Sequence, residues 1–239
     1  KYWTNVTGGS VTIQGGDLEI ENEAASVEVR EDSWQTHLAN SIIFPNFFDW
    51  FQSGIDPLLW TATNPATGAA WAVANLIATS SPNALENCRL VSVLTWPWSS
   101  QYRMRLEWFM HITNVANVDN ATSFFGLSTT PGAIRTTASI IGFFLDSDQW
   151  WGVVDMAGAE TLTTSAFTQS PGSDYLFMIE IETVATAKVT FSISTTTGRL
   201  WKQTVARMPP GPNYLNFYMA TEAGGAATLH LSRVSLRYG

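Results

Sequence analysis

Apolar and polar residues alternate with a period of two along the last third of the chain. In the segment 175–183, the apolar residues Phe177, Ile179 and Ile181 share one face of a strand, and two glutamates lie on the other face. Segments of the same kind follow at 187–194, 200–205, 214–220 and 228–238. Such alternation, interrupted by turns rich in Gly, Pro, Ser and Thr, is typical of antiparallel sheets with one buried face. The pattern therefore predicts an all-β sandwich or barrel.

The first part of the chain has a different texture. Residues 1–40 contain short alternating runs and an excess of acidic residues, and we expect the acidic face at 17–23 to be solvated. Residues 41–52 are dense in aromatic side chains, which is compatible with a short helix or an irregular segment. From residue 58 onward the strand pattern continues without a linker. We therefore predict an N-terminal arm or β-hairpin at 1–40 and one sandwich domain at 41–239.

Composition and charge exclude several classes of protein. Of the 239 residues, 45% are hydrophobic, which is sufficient for a large core, and only 13% are charged. So low a charged fraction suggests that part of the surface is covered by other subunits or by a ligand. The net charge of −8 argues against nucleic acid as a partner, and no apolar run is long enough for a membrane-spanning helix. The single cysteine, Cys88, excludes an internal disulfide and is expected to be a buried, unreactive thiol.

Several segments together resemble a known fold family. The segment 48–61 combines aromatic residues, a short acidic loop and a Trp-Thr pair. Further segments follow in order at 102–108, 124–128, 141–145, 149–154, 175–182, 188–193, 198–200 and 229–236. They resemble, over residues 48–238, the concanavalin A-like jelly-roll domains found in structural proteins of tailed phages. The resemblance implies a jelly-roll β-sandwich of two antiparallel sheets, with the N-terminal arm outside it.

The same fold family includes both enzymes and binding proteins, so the sequence must be searched for catalytic residues. Its members are lectins, glycan-binding modules, glucanases, polysaccharide lyases and phage proteins without catalytic activity. Glucanases of this fold carry a Glu-x-Asp-x-x-Glu strand that places two carboxyl groups on one face. The nearest match begins with Glu180 and Glu182, but Ala185 stands where the proton donor would be. Without that proton donor, the leaving group receives no general acid catalysis, which is worth about 10²- to 10⁴-fold in rate. A lyase base could come from His37, His111 or His230, which are far apart in sequence. We therefore predict that the protein is not an enzyme.

Tryptophan side chains are candidate binding residues. Trp96 and Trp98 flank a proline in a predicted loop, and the adjacent pair Trp150 and Trp151 must point to opposite faces of a strand. An exposed indole can stack on a sugar ring or fill a subunit interface. A buried indole would instead be part of the core. The sequence leaves these three interpretations open, and we take the four residues as candidate glycan-binding or interface residues.

Two aspartates are candidate metal ligands. Asp146 and Asp148 flank Ser147 at a predicted hairpin turn, where their carboxylates could bind Ca²⁺. An ordinary turn stabilised by the aspartate side chains is the simpler interpretation. No other cofactor is expected.

Two functions remain compatible with the sequence. The first is a non-enzymatic virion subunit, a phage capsid decoration or tail-associated protein that assembles through its sandwich and its arm and lies at the virion surface. We expect such a subunit to form homo-oligomers or to bind other virion proteins. The alternative is a lectin-like, secreted module that binds host-receptor glycans or polysaccharides. Neither function involves a membrane or nucleic acid as a partner.

Overall fold

The computed structural model describes residues 47–49, 51, 54–63, 71–72, 76–79, 87–97, 103–136, 139–156, 158–170, 173–182, 187–206, 213–222 and 225–238. The chain divides into two compact units, Lys1–Ile42 and Ile43–Gly239, and all described residues belong to the second unit. The arm predicted at 1–40 lies outside the described residues. Within the described residues, no helix is both long and apolar enough to cross a bilayer.

Strands account for nearly all of the regular structure. In chain order they are β1 (Phe47–Asp49), β2 (Trp60–Thr63), β3 (Trp71–Ala72), β4 (Leu76–Thr79), β5 (Asn87–Trp96), β6 (Met104–Thr113), β7 (Phe124–Ser128), β8 (Ile140–Asp146), β9 (Gln149–Asp155), β10 (Glu160–Leu162), β11 (Phe167–Thr168), β12 (Tyr175–Glu182), β13 (Lys188–Thr195), β14 (Gly198–Val205), β15 (Asn213–Ala220) and β16 (Thr228–Tyr238). A short 3₁₀ turn occupies Val115–Asn117.

The strands form two antiparallel sheets. The first sheet has the order β14-β13-β12-β6-β16-β4-β3, with β1 also paired to β16. The second sheet has the order β10-β9-β8-β7-β15-β5-β2, with β11 also paired to β9. The predicted all-β sandwich of two antiparallel sheets is thus confirmed. The strands predicted in the last third of the chain are β12 to β16, within two residues at each end.

Aromatic side chains from both sheets interlock between them. Trp108 on β6 stacks on Phe177 of β12, with ring centres 5.7 Å apart and planes 9° apart. From the second sheet, Phe143 and Phe217 meet Trp108 edge-on. Aromatic pairs in these geometries add about 0.5–1.5 kcal/mol each to the stabilisation from buried area. The inward faces of the alternating strands therefore form the core that the periodicity predicted.

The outer face of the second sheet is also partly buried. Phe124, Phe144 and Tyr218 on this face form a second apolar cluster with Ala133 from the β7–β8 connection. The outer face of an antiparallel sheet is commonly solvated, but here the connection folds back over it. Arg135 holds this arrangement, since its guanidinium lies 3.4 Å from the centre of the Phe144 ring.

Three polar contacts fix Arg135 above the sheet. Its Nε and Nη2 donate to the two carboxylate oxygens of Glu160, at 2.7 and 2.9 Å. Its Nη1 donates to the backbone oxygen of Asn120 at 2.6 Å. Bidentate pairing of this kind is geometrically specific. The β7–β8 connection is thereby held in place as one wall of the site described next.

The aromatic segment at 41–52 contains a strand in its described part. Phe47–Asp49 forms β1, which pairs with the end of β16. The Asp49 carboxylate accepts hydrogen bonds from the Phe51 backbone and from the Trp60 indole, both at 2.7 Å. Residues 47–49 are therefore a strand, and not the short helix or irregular segment that the sequence suggested, because the segment gains partners in both sheets rather than within itself.

Candidate functional site

A cleft of about 350 Å³ opens on the outer face of the second sheet. Its walls come from β2, β5 and β15 and from the β7–β8 connection. The lining residues are Thr61, Thr63, Arg89, Val91, Ser92, Val93, Pro131, Gly132 and Tyr214. Thr61 and Thr63 are exposed on an edge strand, whereas Val91 is buried. The cleft therefore combines an apolar base with hydroxyl-bearing walls, as small-molecule sites commonly do.

A β-bulge in β5 shapes one wall of the cleft. The pairing with β15 shifts register between Tyr214 and Asn216. Ser92 holds the bulge, because its hydroxyl donates to the Leu94 backbone oxygen at 2.7 Å and accepts from the Leu215 amide at 2.9 Å. Val93 is left 47% exposed beside the cleft. Bulges often redirect side chains at functional sites, and this one turns apolar surface toward the cleft.

Arg89 is the basic group of the cleft. It is half-buried on β5, and its guanidinium carbon lies 4.6 Å from the centre of the Tyr218 ring. Its Nε is buried and has no hydrogen-bond partner in the described part of the chain. Burial raises the pKa of Tyr218, while the charge of Arg89 opposes the shift. The phenol therefore stays neutral at physiological pH beside a permanently charged guanidinium.

The cleft offers chemistry for binding. Hydroxyl groups both donate and accept hydrogen bonds, the guanidinium donates only, and Tyr214 supplies a half-buried ring. Among its lining residues, all of them in the described ranges, none is His, Cys, Asp or Glu. The arrangement suits a ligand rich in hydroxyl groups.

Two of the four candidate tryptophans are core residues, which is one of the three interpretations that the sequence left open. Trp96 is 1% exposed and packs against Phe47, with ring centres 5.4 Å apart. Trp150 is 0% exposed, and its indole donates to the Gln169 side chain at 2.7 Å. Both indoles face the core, because burial of so large an apolar surface between the sheets is favourable. Neither can stack on a sugar ring or fill an interface.

The other two tryptophans are placed differently. Trp151 points to the opposite face from Trp150, as predicted, and is half-buried against the second apolar cluster. Trp98 lies outside the described residues. Among the described residues, the structure thus brings no pair of these indoles together at the cleft.

Asp146 and Asp148 lie at the turn between β8 and β9 and are exposed. The Asp146 carboxylate accepts a hydrogen bond from the Asn120 side chain at 2.9 Å, and the backbone oxygen of Asp148 accepts from the Gln169 amide at 2.8 Å. Within the described ranges, no group of three or more His, Cys, Asp or Glu side chains is placed to hold a metal ion.

Glu180 and Glu182 are engaged in ion pairs on the outer face of the first sheet. Glu182 lies 2.9 Å from Lys188 and 3.3 Å from Arg103, and Glu180 lies 4.0 Å from Arg105. The hydrogen bond from Lys188 lowers the pKa of Glu182. Both glutamates are thus paired with basic side chains on this face.

Two of the three histidines meet across strands. His111 on β6 is paired with His230 on β16, and their rings stack with centres 4.0 Å apart. Asp174 lies 2.5 Å from Nδ1 of His111. Burial, and secondarily the neighbouring His111, lowers the pKa of His230. This pair lies on the first sheet, away from the cleft, and His37 lies outside the described residues.

Sequence reasoning missed the residues that line the cleft. Arg89 is the single charged residue within the apolar strand β5, and a lone charge in such a strand is the signal that could have identified it. Thr61 and Tyr214 carry no comparable signal. The cleft forms only when strands that are distant in sequence become neighbours.

The overall arrangement of strands matches several solved structures. Peanut lectin is 9% identical with a TM-score of 0.63, and the match covers 83% of this chain and 98% of that chain. The seed lectin of Lotus tetragonolobus is 10% identical with a TM-score of 0.59, covering 81% of this chain and 98% of that chain. The chain has the fold of the legume lectins. The expected concanavalin A-like fold is thereby confirmed.

Two further matches extend the comparison of the lectin-like fold. The carbohydrate recognition domain of Emp47p is 9% identical with a TM-score of 0.58, covering 81% of this chain and 95% of that chain. A protein of unknown function, SO2946 from Shewanella oneidensis MR-1, is 13% identical with a TM-score of 0.57, covering 93% of this chain and 96% of that chain. No protein-family model and no curated protein matches the sequence. At these identities the likeness concerns the fold alone.

Proposed function

We propose that this protein is a non-enzymatic, lectin-like module that binds a saccharide in the cleft on the second sheet. The observation that carries the proposal is the lining of that cleft, in which hydroxyl groups and one guanidinium surround an apolar base. The lectin-like fold supports it, because this architecture is shared with proteins named as lectins and carbohydrate recognition domains. The proposal adopts the second of the two functions that the sequence left open.

The groups that line the cleft are complementary to those of a sugar. The exposed hydroxyls of Thr61 and Thr63 project from an edge strand, so a ligand can reach them without displacing protein contacts. A sugar presents hydroxyl groups on its rim and C–H groups on its faces. The hydroxyl groups of the sugar can form hydrogen bonds with Thr61, Thr63 and Arg89. Its C–H faces can lie on Val91 and Tyr214. The cleft volume falls within the range of about 300–1,000 Å³ for small-molecule sites.

A glycan array with the 239-residue chain tests the proposal, with neutral and acidic oligosaccharides printed together. The wild-type protein is expected to bind at least one class. Thr61→Trp should abolish that binding, because an indole at this exposed position fills the cleft. Thr168→Trp is the matched control, since Thr168 is exposed on β11 at the opposite end of the same sheet.

The outcomes separate a cleft site from its alternatives. Binding that Thr61→Trp removes and Thr168→Trp retains would support the proposal. Binding that survives Thr61→Trp would place the saccharide elsewhere on the molecule. A wild-type protein that binds none of the printed classes would contradict a lectin-like function.

Assembly into homo-oligomers is a second candidate function, and it is the testable part of the virion-subunit hypothesis. β14 lies at an edge of the first sheet and, among the described strands, pairs with β13 alone. Its residue Leu200 is 50% exposed. An exposed edge strand can add a strand from another chain. The solved structures named above give no support to a virion location.

Light scattering at two concentrations tests this second candidate. A stable oligomer that Leu200→Lys dissociates would support assembly through β14. A monomer at both concentrations would contradict it and would leave the cleft as the single candidate function.

A further inference from the structure

We infer that the cleft selects saccharides that carry a carboxylate, and that Arg89 is the residue that recognises this group. The inference rests on the proposed saccharide binding and adds the chemical class of the ligand. Three observations support it. Arg89 forms no ion pair within the described residues, its Nε is buried, and its Nη1 lies close to Gly132.

The charge environment of Arg89 differs from that of Arg103 and Arg135. Arg103 pairs with Glu182 at 3.3 Å, and Arg135 pairs with Glu160 at 2.7 Å. Within the described part of the chain, Arg89 forms no such ion pair, although the charge of Asp119 reaches Tyr218, the ring that Arg89 faces. A half-buried guanidinium is stabilised by a counter-ion, and an anionic ligand in the cleft would supply one.

The geometry of the side chain determines how an anion can approach. Nε is buried, and Nη1 lies beside Gly132 at the cleft, so a ligand would approach the Nη end of the side chain. The Tyr218 ring lies against the guanidinium and fixes its plane. A planar guanidinium recognises a planar carboxylate through two parallel N–H···O bonds, which lysine cannot reproduce. The site is thus arranged for a carboxylate at the end of the side chain.

Gly132 keeps this end of Arg89 accessible. Its φ of +81° suits glycine, and a Cβ at this position would lie 2.9 Å from Nη1 of Arg89. The β7–β8 connection therefore passes close to the guanidinium without covering it by a side chain. The remaining polar lining groups can bind the hydroxyls of the same sugar.

A purely structural role for Arg89 makes a different prediction. If the guanidinium serves only to support Tyr218, its replacement should lower stability and leave the choice of saccharide unchanged. A preference for acidic over neutral sugars that depends on Arg89 is a readout that such a role would not alter.

The experiment compares matched pairs of saccharides by titration calorimetry with the 239-residue chain. The first pair is a uronic-acid disaccharide and the same disaccharide with its carboxylates reduced to alcohols. The second pair is a sulfated disaccharide and its desulfated form, which distinguishes a carboxylate from another anion. The wild-type protein is expected to bind the uronate at least tenfold more tightly than the reduced form.

Three variants complete the design. Arg89→Gln should bring the affinities for the two uronate-derived sugars to within about twofold of each other, and Arg89→Lys should retain only part of the preference. Arg103→Gln is the control, because it removes the same charge from an exposed position just before β6. Thermal unfolding of each variant establishes that it is folded.

The possible results distinguish a failure of the carboxylate inference from a failure of the proposed saccharide binding. Equal affinity of the wild-type protein for the uronate and its reduced form would overturn the carboxylate inference and leave saccharide binding standing. Preference for the sulfated sugar alone, or a preference that Arg89→Gln retains, would likewise overturn it. Absence of binding to all four sugars and to every glycan on the array would overturn the proposed function together with the inference.

Discussion

Arg89 and Tyr218 face each other across neighbouring strands, with the guanidinium carbon 4.6 Å from the centre of the phenol ring. The two residues are directly paired in the register of β5 and β15. Cation–π contacts at partly buried sites are worth about 0.5–2 kcal/mol. Tyr218 belongs to the second apolar cluster, and Arg89 lines the cleft, so this contact joins the cluster to the cleft.

The first prediction concerns this contact. Tyr218→Phe keeps the ring and should leave saccharide affinity within about twofold, because the contact depends on the ring face. Tyr218→Leu removes the ring, so the guanidinium loses its fixed plane and affinity should fall about five- to tenfold. Titration calorimetry of both variants checks the difference. Equal losses in both variants would show that the hydroxyl, rather than the ring, positions Arg89.

The second prediction concerns Gly132. Gly132→Ala should cost about 1 kcal/mol of stability, because alanine is strained at positive φ, and should also weaken saccharide binding by pressing on Arg89. Gly158→Ala is a matched control, since Gly158 has a φ of +90° and open space where its Cβ would lie. Both variants should lose similar stability in chemical denaturation. Weakened binding in both, or in neither, would contradict the role given to Gly132.

A third prediction concerns a buried polar link between the sheets. The Trp150 indole donates to Gln169 at 2.7 Å, and Gln169 donates to the Ile112 backbone at 2.9 Å. Trp150→Phe should be destabilising by about 3–4 kcal/mol, because it combines a cavity with an unsatisfied amide oxygen. Trp108→Phe should cost less, since the Trp108 indole nitrogen has no partner among the described residues. Urea denaturation of both variants measures the difference, and a larger loss for Trp108→Phe would contradict the account.

The fourth prediction concerns pH and the stacked histidines. Burial lowers the pKa of His230 from its ordinary value of 6.5. Between the lowered pKa and 6.5, the unfolded chain binds more protons than the folded chain, so stability rises with pH in this window. Stability should therefore fall as pH decreases below about 6.5.

Chemical denaturation of the wild-type protein and of His230→Gln across this pH range checks the fourth prediction. The variant should lose less stability between pH 7.5 and pH 5 than the wild-type protein, because it lacks the titrating ring. His111 and Asp174 lie beside this ring and are present in both proteins. An identical pH dependence in both would assign the effect to other groups.

The strands of the last third could be predicted from sequence because burial on one face imposes a period of two. Phe177 and Ile181 face the core as expected, at 0% and 1% exposure. The pattern was less clear where both faces of a strand are buried. β8 has no alternation, since the β7–β8 connection covers its outer face, and only the structure reveals that cover.

The candidate site was largely beyond prediction. The tryptophans drew attention as binding residues, yet Trp96 and Trp150 are core residues because a large indole is stabilised most between the sheets. The cleft residues Thr61, Arg89 and Tyr214 are ordinary in type and distant in sequence. Their proximity follows from the order β15-β5-β2, which no local pattern encodes.

The central claim is that the cleft on the second sheet holds a saccharide, and mapping the site by NMR tests it most directly. The ¹⁵N-labelled protein would be titrated with the oligosaccharide that the glycan array ranks first. The account predicts that amide signals of Thr61, Thr63, Val91 and Tyr214 shift with a single saturating affinity, while those of β12 and β13 on the other sheet stay unchanged. Shifts confined to the first sheet, or no shifts at all, would contradict it.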